Sequence, residues 1–97
     1  MLKQLGSERV DAAARELTAM SCFSDMYNVQ PVGDRPDKWI VRLWAFCVHD
    51  YELETVKTVL ALKHDISLES FYLCMPGSQM RLTLTVTLGG YQEVNNV

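Results

Sequence analysis

Two histidines and three cysteines are the side chains of this sequence with the widest choice of chemistry. Each histidine precedes an aspartate, in His49-Asp50 and in His64-Asp65, and this repetition suggests a metal site or an acid–base pair. Both histidines flank one predicted helix, however, so about 22 Å separates them at about 1.5 Å per residue. We therefore expect no shared metal or catalytic role. His49 is interpreted as the end of a strand and His64 as the end of a helix.

The cysteines, Cys22, Cys47 and Cys74, are odd in number and show no Cys-x-x-Cys spacing. This pattern argues against a disulfide framework and against a zinc knuckle. We expect three reduced thiols packed as small apolar groups, as in a cytoplasmic protein. Cys74 has no histidine close in sequence that could act as its base, so nucleophilic catalysis is not expected. No phosphate-binding glycine motif is present either, and the sequence predicts neither an enzyme nor a cofactor.

The densest group of charges is acidic and comprises Asp50, Glu52 and Glu54, next to His49. A solvated helix N-terminus explains it, because acids there complement the helix dipole and Asp50 can serve as the cap. The alternative is a docking surface for a basic partner, whose association would depend on salt.

Composition narrows the class of protein. The chain has 97 residues, 48% of them hydrophobic and 22% charged, which is typical of one globular domain spanning 1–97. Its nine lysines and arginines are scattered, and the net charge is −3. Nucleic-acid binding is therefore not expected, since it relies on clustered basic residues. No stretch approaches the roughly 20 apolar residues that span a bilayer, and the first residues lack the apolar core of a signal peptide.

Hydrophobic periodicity predicts six elements in the order α-β-β-α-β-β. Val10, Ala13, Ala14 and Leu17 recur on one helical face. Apolar residues at every second position predict a half-buried strand near the end of the chain. They are Leu82, Leu84, Val86 and Leu88. The predicted helices are 7–20 and 50–64, and the predicted strands are 24–32, 38–48, 66–75 and 79–88, with a loop over 31–37.

This order predicts an α+β, two-layer sandwich in which a four-stranded antiparallel sheet carries both helices on one face. It equals a ferredoxin-like order whose last helix and strand have moved to the front, that is, a circular permutation. The strands 38–48 and 81–88 are expected in the centre, with 24–32 and 66–75 at the edges. Right-handed crossovers then place both helices on the same side of the sheet.

The open face of that sheet is expected to be apolar. It would carry the threonines of the last strand, together with either the set containing Trp44 and Phe46 or the set containing Trp39 and Leu43. Alternation places Cys47 with Trp39, and an uncovered apolar face usually marks an interaction surface. Two alternatives are that 1–5 or the C-terminal tail folds across the face, and that its aromatics stack RNA bases. The threonines and the acidic charge disfavour RNA.

The segment Trp39 to Leu88 resembles the β-α-β-β half of an ACT-type regulatory domain. The resemblance rests on the apolar strand 39–48, on Asp50 opening a helix, on the run 66–71, and on Pro76-Gly77 leading into the strand 81–86. It implies a ferredoxin-like fold and pairing of sheets or helices into dimers, which often bind amino acids at the interface. The loop 49–53 lacks the family's Pro-Gly pair, so no effector-binding residue is carried over.

We therefore expect a non-enzymatic protein-binding or regulatory module that acts as a homodimer or complex subunit through the open sheet face. The alternative is a small inhibitor or adaptor, for example one encoded by a phage, that docks on a larger host protein by its acidic helix end or an edge strand. The predicted partner-binding residues are Trp44, Phe46, Arg42, Ile40, Thr83, Thr85, Asp50 and Glu52.

Overall fold

The computed structural model describes residues 6–90, which form two helices and one antiparallel sheet. The elements are α1 (Gly6–Leu17), β1 (Phe23–Val32), β2 (Arg35–Ala45), α2 (Asp50–His64), β3 (Ile66–Cys74) and β4 (Met80–Leu88). The strand order β1-β2-β4-β3 places β2 and β4 in the centre. The predicted α+β sandwich and the predicted central strands are confirmed, and the order is compatible with a permuted ferredoxin-like arrangement.

The core lies between the sheet and the two helices. In the centre of the sheet, Val41 pairs with Leu84 and Leu43 pairs with Leu82, and all four side chains are buried. Burial of this apolar surface is the main stabilising term of the fold. The helices complete the core with the stripes that their periodicity predicts, Val10, Ala13, Ala14 and Leu17 from α1 and Val56 and Leu60 from α2.

Polar contacts tie the two helices together at the end of α2. Arg9 of α1 donates to the carbonyl oxygens of His64 and Asp65, at 3.1 and 3.2 Å. Glu16 lies 2.8 Å from Nε2 of His64 and 3.0 Å from Nζ of Lys63. A cation at a helix C-terminus satisfies carbonyl groups that have no partner within the helix. The helix α2 ends at His64, as predicted.

Two predicted boundaries differ from the structure near α1 and β1. The helix α1 ends at Leu17 rather than near Met20, because Met20 N–H already donates to the carbonyl of Leu17, a tighter i to i+3 turn. The predicted loop 31–37 is instead the tip of a hairpin, with its turn at Gly33, whose φ is +50°.

The end of β2 corrects a third prediction. The strand stops at Ala45, which pairs with the first residue of β1, Phe23. One more backbone hydrogen bond follows, from Phe46 N–H to the carbonyl of Cys22 at 2.8 Å. Phe46, Cys47 and Val48 lie outside the strand. Cys47, which alternation assigned to the same face as Trp39, is exposed. Alternation stops predicting a side chain's face where strand pairing stops.

Within residues 6–90, neither helix is long and apolar enough to cross a membrane.

Candidate functional site

The edge strand β3 carries the largest run of exposed apolar side chains in the described part of the chain. Phe71, Tyr72 and Leu73 are 45%, 56% and 40% exposed, and Met75, two residues further on, is exposed as well. β3 pairs with β4 on one side only, and no other strand between residues 6 and 90 pairs with its outer side. Its outer backbone N–H and C=O groups are therefore available to another strand.

Only the first half of β3 is protected against such pairing. A register shift between Leu68 and Ser70 makes Glu69 an extra residue, a β-bulge that interrupts the ladder. Bulges and charged residues are the usual means by which edge strands avoid pairing with other chains. The stretch 70–74 that follows has neither device, since it is regularly paired with β4, uncharged and free of proline.

A groove of about 670 Å³ lies beside this stretch, between α2 and β3. Leu53, Leu68 and Phe71 supply apolar walls, and charged residues form the rim. The charged residues are Asp50, Glu54, Lys57 and Glu69.

The open face of the sheet is more polar than its sequence predicts. Ile40, Arg42 and Trp44 of β2 point to it, whereas Val41 and Leu43 point to the core. Nη1 of Arg42 donates to Oδ1 of Asn28 at 3.2 Å and to Oε1 of Gln30 at 2.8 Å. The centre of this face is therefore a hydrogen-bonded network with an apolar side chain on either side along β2, and not a continuous apolar patch.

Two polar atoms of this face have no hydrogen-bond partner among the described residues. They are Nε of Arg81, which pairs with Trp44 across the sheet, and the hydroxyl of Thr83, which is 3% exposed. Buried polar atoms are satisfied in most folded proteins, so these two atoms are exceptions within the described residues.

The far end of the open face is held by a charged contact. Lys38 Nζ lies 2.5 Å from Oε1 of Glu69, and the Thr87 hydroxyl donates to the other oxygen of the same carboxylate. The hydrogen bonds from Lys38 and Thr87 lower the pKa of Glu69. The charges of Lys38 and Glu69 therefore compensate each other at this end of the face.

The acidic start of α2 is only partly available to a partner. The helix begins at Asp50, but its N-cap is His49 rather than Asp50 as predicted. His49 N–H donates to Oε1 of Glu52 at 2.7 Å, so the Glu52 side chain folds back onto the helix end and is nearly buried. That backbone hydrogen bond is the main cause of a lowered Glu52 pKa. Asp50 remains exposed.

A thiol and an imidazole meet just before this helix. The Cys47 sulfur lies 3.4 Å from Nε2 of His49 and 3.7 Å from Nδ1, and Nδ1 lies 3.2 Å from Oε1 of Glu52. The ring of Tyr51 stacks on His49 with centroids 5.6 Å apart. On the buried side, the Cys22 thiol also contacts Glu52, and desolvation raises its pKa to about 11. Sequence reasoning missed this group because it placed Cys47 in the strand.

The structure divides the eight predicted partner-binding residues between two places. One group shares the open face, and the other lies at or near the start of α2. The open-face group is Ile40, Arg42, Trp44, Thr83 and Thr85, and the second is Phe46, Asp50 and Glu52. The alternative occupants of the face, 1–5 and the tail from 91 onward, lie outside the described residues. Between residues 6 and 90, no group of three or more His, Cys, Asp or Glu side chains could hold a metal ion.

Comparisons of the chain with protein-family models, with curated proteins and with solved structures find no match.

Proposed function

We propose that this chain is a non-enzymatic protein-binding module that acts as a homodimer through its edge strand β3. The observation that carries the proposal is the stretch 70–74, where exposed apolar side chains coincide with an unpaired backbone edge. Burying such a stretch against a second strand removes apolar area from water and satisfies the free N–H and C=O groups together.

The sequence of this stretch is complementary to itself. In an antiparallel pair centred on Tyr72, that residue meets its own copy on the open face, as an aromatic pair. Phe71 then meets Leu73 of the second copy on the helix face, and Ser70 meets Cys74 of the second copy. Aromatic and aromatic–aliphatic pairs are among the stabilising cross-strand contacts, and a two-fold axis makes every contact occur twice.

Disulfide trapping tests this register. Residues opposite each other in an antiparallel pair have Cα atoms about 4.5–5.5 Å apart, which is within the range that a disulfide bridges. The variant Ser70→Cys, made in a Cys47→Ser background, should form a covalent dimer with the native Cys74 of the second copy under mild oxidation. The measurement is the mass of the product on a non-reducing gel.

Two controls make the result specific. Adding Cys74→Ser to the same variant should remove the covalent dimer, since residue 70 then has no thiol opposite it. Ser67→Cys lies on the same strand but before the bulge, and it should not cross-link. Equal cross-linking of the two variants would mean random collision and would reject the proposed register.

A second candidate function is an adaptor or inhibitor that docks on a larger protein through the open face. The observation that favours it is the pair of arginines, Arg42 and Arg81, which both neighbour Trp44 on the open face. Carboxylate groups are the natural partners of arginine. Titration with an acidic oligopeptide should perturb tryptophan fluorescence in a salt-dependent way, and Arg42→Gln should weaken the effect. No response in the native chain would reject this candidate.

The resemblance to ACT-type domains stays a prediction, and the pairing of β3 is proposed from the geometry of the strand alone.

A further inference from the structure

Two aromatic rings share the open face of the sheet because of the bulge in β3. The extra residue, Glu69, shifts the alternation of the strand by one, so that Tyr72 pairs with Thr83 and faces away from the helices. Thr83 pairs on its other side with Arg42, two residues before Trp44. At about 4.8 Å between strands and about 3.3 Å per residue, the Cα atoms of Trp44 and Tyr72 are about 12 Å apart. The face therefore carries two separate aromatic platforms.

Two arginines lie beside these platforms. Arg81 pairs with Trp44 across the sheet, and Arg42 lies in the same cross-strand row as Tyr72. The hydrogen bonds of Arg42 go to the amide oxygens of Asn28 and Gln30. Because both amides are neutral, these bonds hold the guanidinium in place and leave its charge uncompensated. The arginines thus place positive charge next to each ring.

The charge of the open face differs from that of the whole chain, which is −3. No residue that the described ladders of β1 to β4 place on this face is acidic. Glu69 reaches the far end of the face from the bulge, and Lys38 compensates its charge at 2.5 Å. Salt screens charges more than about 8 Å apart at physiological ionic strength. The acids of α1 and α2, on the other side of the sheet, therefore repel an anion on the open face only weakly.

We propose that the open face binds single-stranded nucleic acid, with one base stacked on Trp44, a second on Tyr72, and phosphates at Arg42 and Arg81. Aromatic rings that stack unpaired bases, next to cations that contact the backbone, are the means by which proteins bind such strands. An acidic peptide would use the arginines alone, whereas a nucleic acid uses the rings as well. The proposal does not rest on the homodimer, because pairing along β3 leaves the open face uncovered.

Fluorescence anisotropy of a labelled oligothymidylate of about eight nucleotides, titrated with the native chain at low salt, tests the stacking. Trp44→Leu keeps apolar bulk on the face but removes the ring, and it should raise Kd on the order of tenfold through the loss of one stacked base. The matched control is Phe46→Ala. Phe46 is 68% exposed but lies outside the strands, so its removal should leave Kd unchanged.

The salt dependence of the same titration counts the phosphate contacts. Two contacts with a single strand predict a slope of about −1.4 for the logarithm of the association constant against that of the salt concentration. Arg81→Gln should bring the slope to about −0.7, whereas Lys57→Gln on α2 should not change it. Absence of oligonucleotide binding by the native chain, or native affinity in Trp44→Leu, would overturn the proposal. Equal affinity for an oligoglutamate peptide would overturn it too, since the rings would then contribute nothing.

Discussion

The carboxylate of Glu52 accepts a hydrogen bond of 2.7 Å from the backbone N–H of His49, the residue that caps α2. This contact satisfies an N–H group at the cap and places negative charge at the positive end of the helix dipole. It also withdraws one acid from the surface that the alternative interpretation of this cluster assigned to a basic partner. Helix capping and the position of His49 are therefore linked through one side chain.

Acidification should destabilise the chain through this carboxylate. The Glu52 pKa is lowered in the folded state, chiefly by the His49 N–H, so its stabilising effect is complete above the ordinary glutamate pKa, about 4.3. The effect is lost as the pH falls through the lower folded-state pKa. Glu16 and Glu69 have lowered pKa values too and add to the loss. Urea unfolding at a series of pH values should show a midpoint that falls only in this acidic range.

Two variants distinguish the contribution of Glu52 to acid destabilisation from that of the other carboxylates. Glu52→Gln should be less stable at neutral pH and should show a shallower fall of the midpoint with acid. Glu54→Gln, on the exposed side of the same helix, should keep the native dependence. Identical pH profiles for native chain and Glu52→Gln would contradict the role given to this contact.

The centre of the sheet should be the most sensitive part of the core. Leu84 of β4 is fully buried, and Leu84→Ala should cost about 2–5 kcal/mol of unfolding free energy, from lost burial and the cavity left behind. The matched control is Leu62→Ala on α2, because Leu62 is 81% exposed. That change should stay within about 0.5 kcal/mol. Denaturant unfolding measures both, and equal losses would refute the assigned core.

Gly89 is required where the chain leaves β4. Its N–H donates to the carbonyl of Asp65 at 2.7 Å, and a Cβ built on it would clash with the backbone and side chain of Asp65. Gly89→Ala should therefore destabilise the fold by about 1–3 kcal/mol.

Gly77 in the turn between β3 and β4 is the matched control, since a Cβ there meets nothing within 4 Å. Gly77→Ala should unfold at nearly the native temperature, while Gly89→Ala should unfold earlier in a calorimetric scan. Equal transition temperatures for the two variants would mean that Asp65 moves aside at no cost.

Periodicity was enough to predict the elements that bury one clear face. The bounds of α2, Asp50–His64, agree with the prediction, because a cluster of acids opens it and basic residues close it. The central position of β2 and β4 followed from the permuted ferredoxin-like order of the elements. The start of β2 and the hairpin at Gly33 were missed. Prolines lie on both sides of the turn, and proline is uncommon inside strands because it has no N–H to donate.

The candidate sites depended on pairing, which the sequence does not show. Which alternate set of β2 faces the helices decides whether Trp44 or Trp39 lies on the open face. The exposure of Cys47 depends on where β1 begins, through the pair Phe23 and Ala45. The unprotected half of β3 becomes visible only once the bulge at Glu69 is known. Each of these follows from contacts between residues far apart in the chain.

Light scattering coupled to size exclusion tests the proposed homodimer most directly. The native chain should elute with the mass of two copies, and Tyr72→Lys should elute as a monomer, because it places two like charges opposite each other at the centre of the pair. Met26→Lys puts the same charge on the exposed opposite edge strand β1, and it should remain a dimer. A native chain that stays monomeric at high concentration, or a Tyr72→Lys variant that stays dimeric, would contradict pairing through β3.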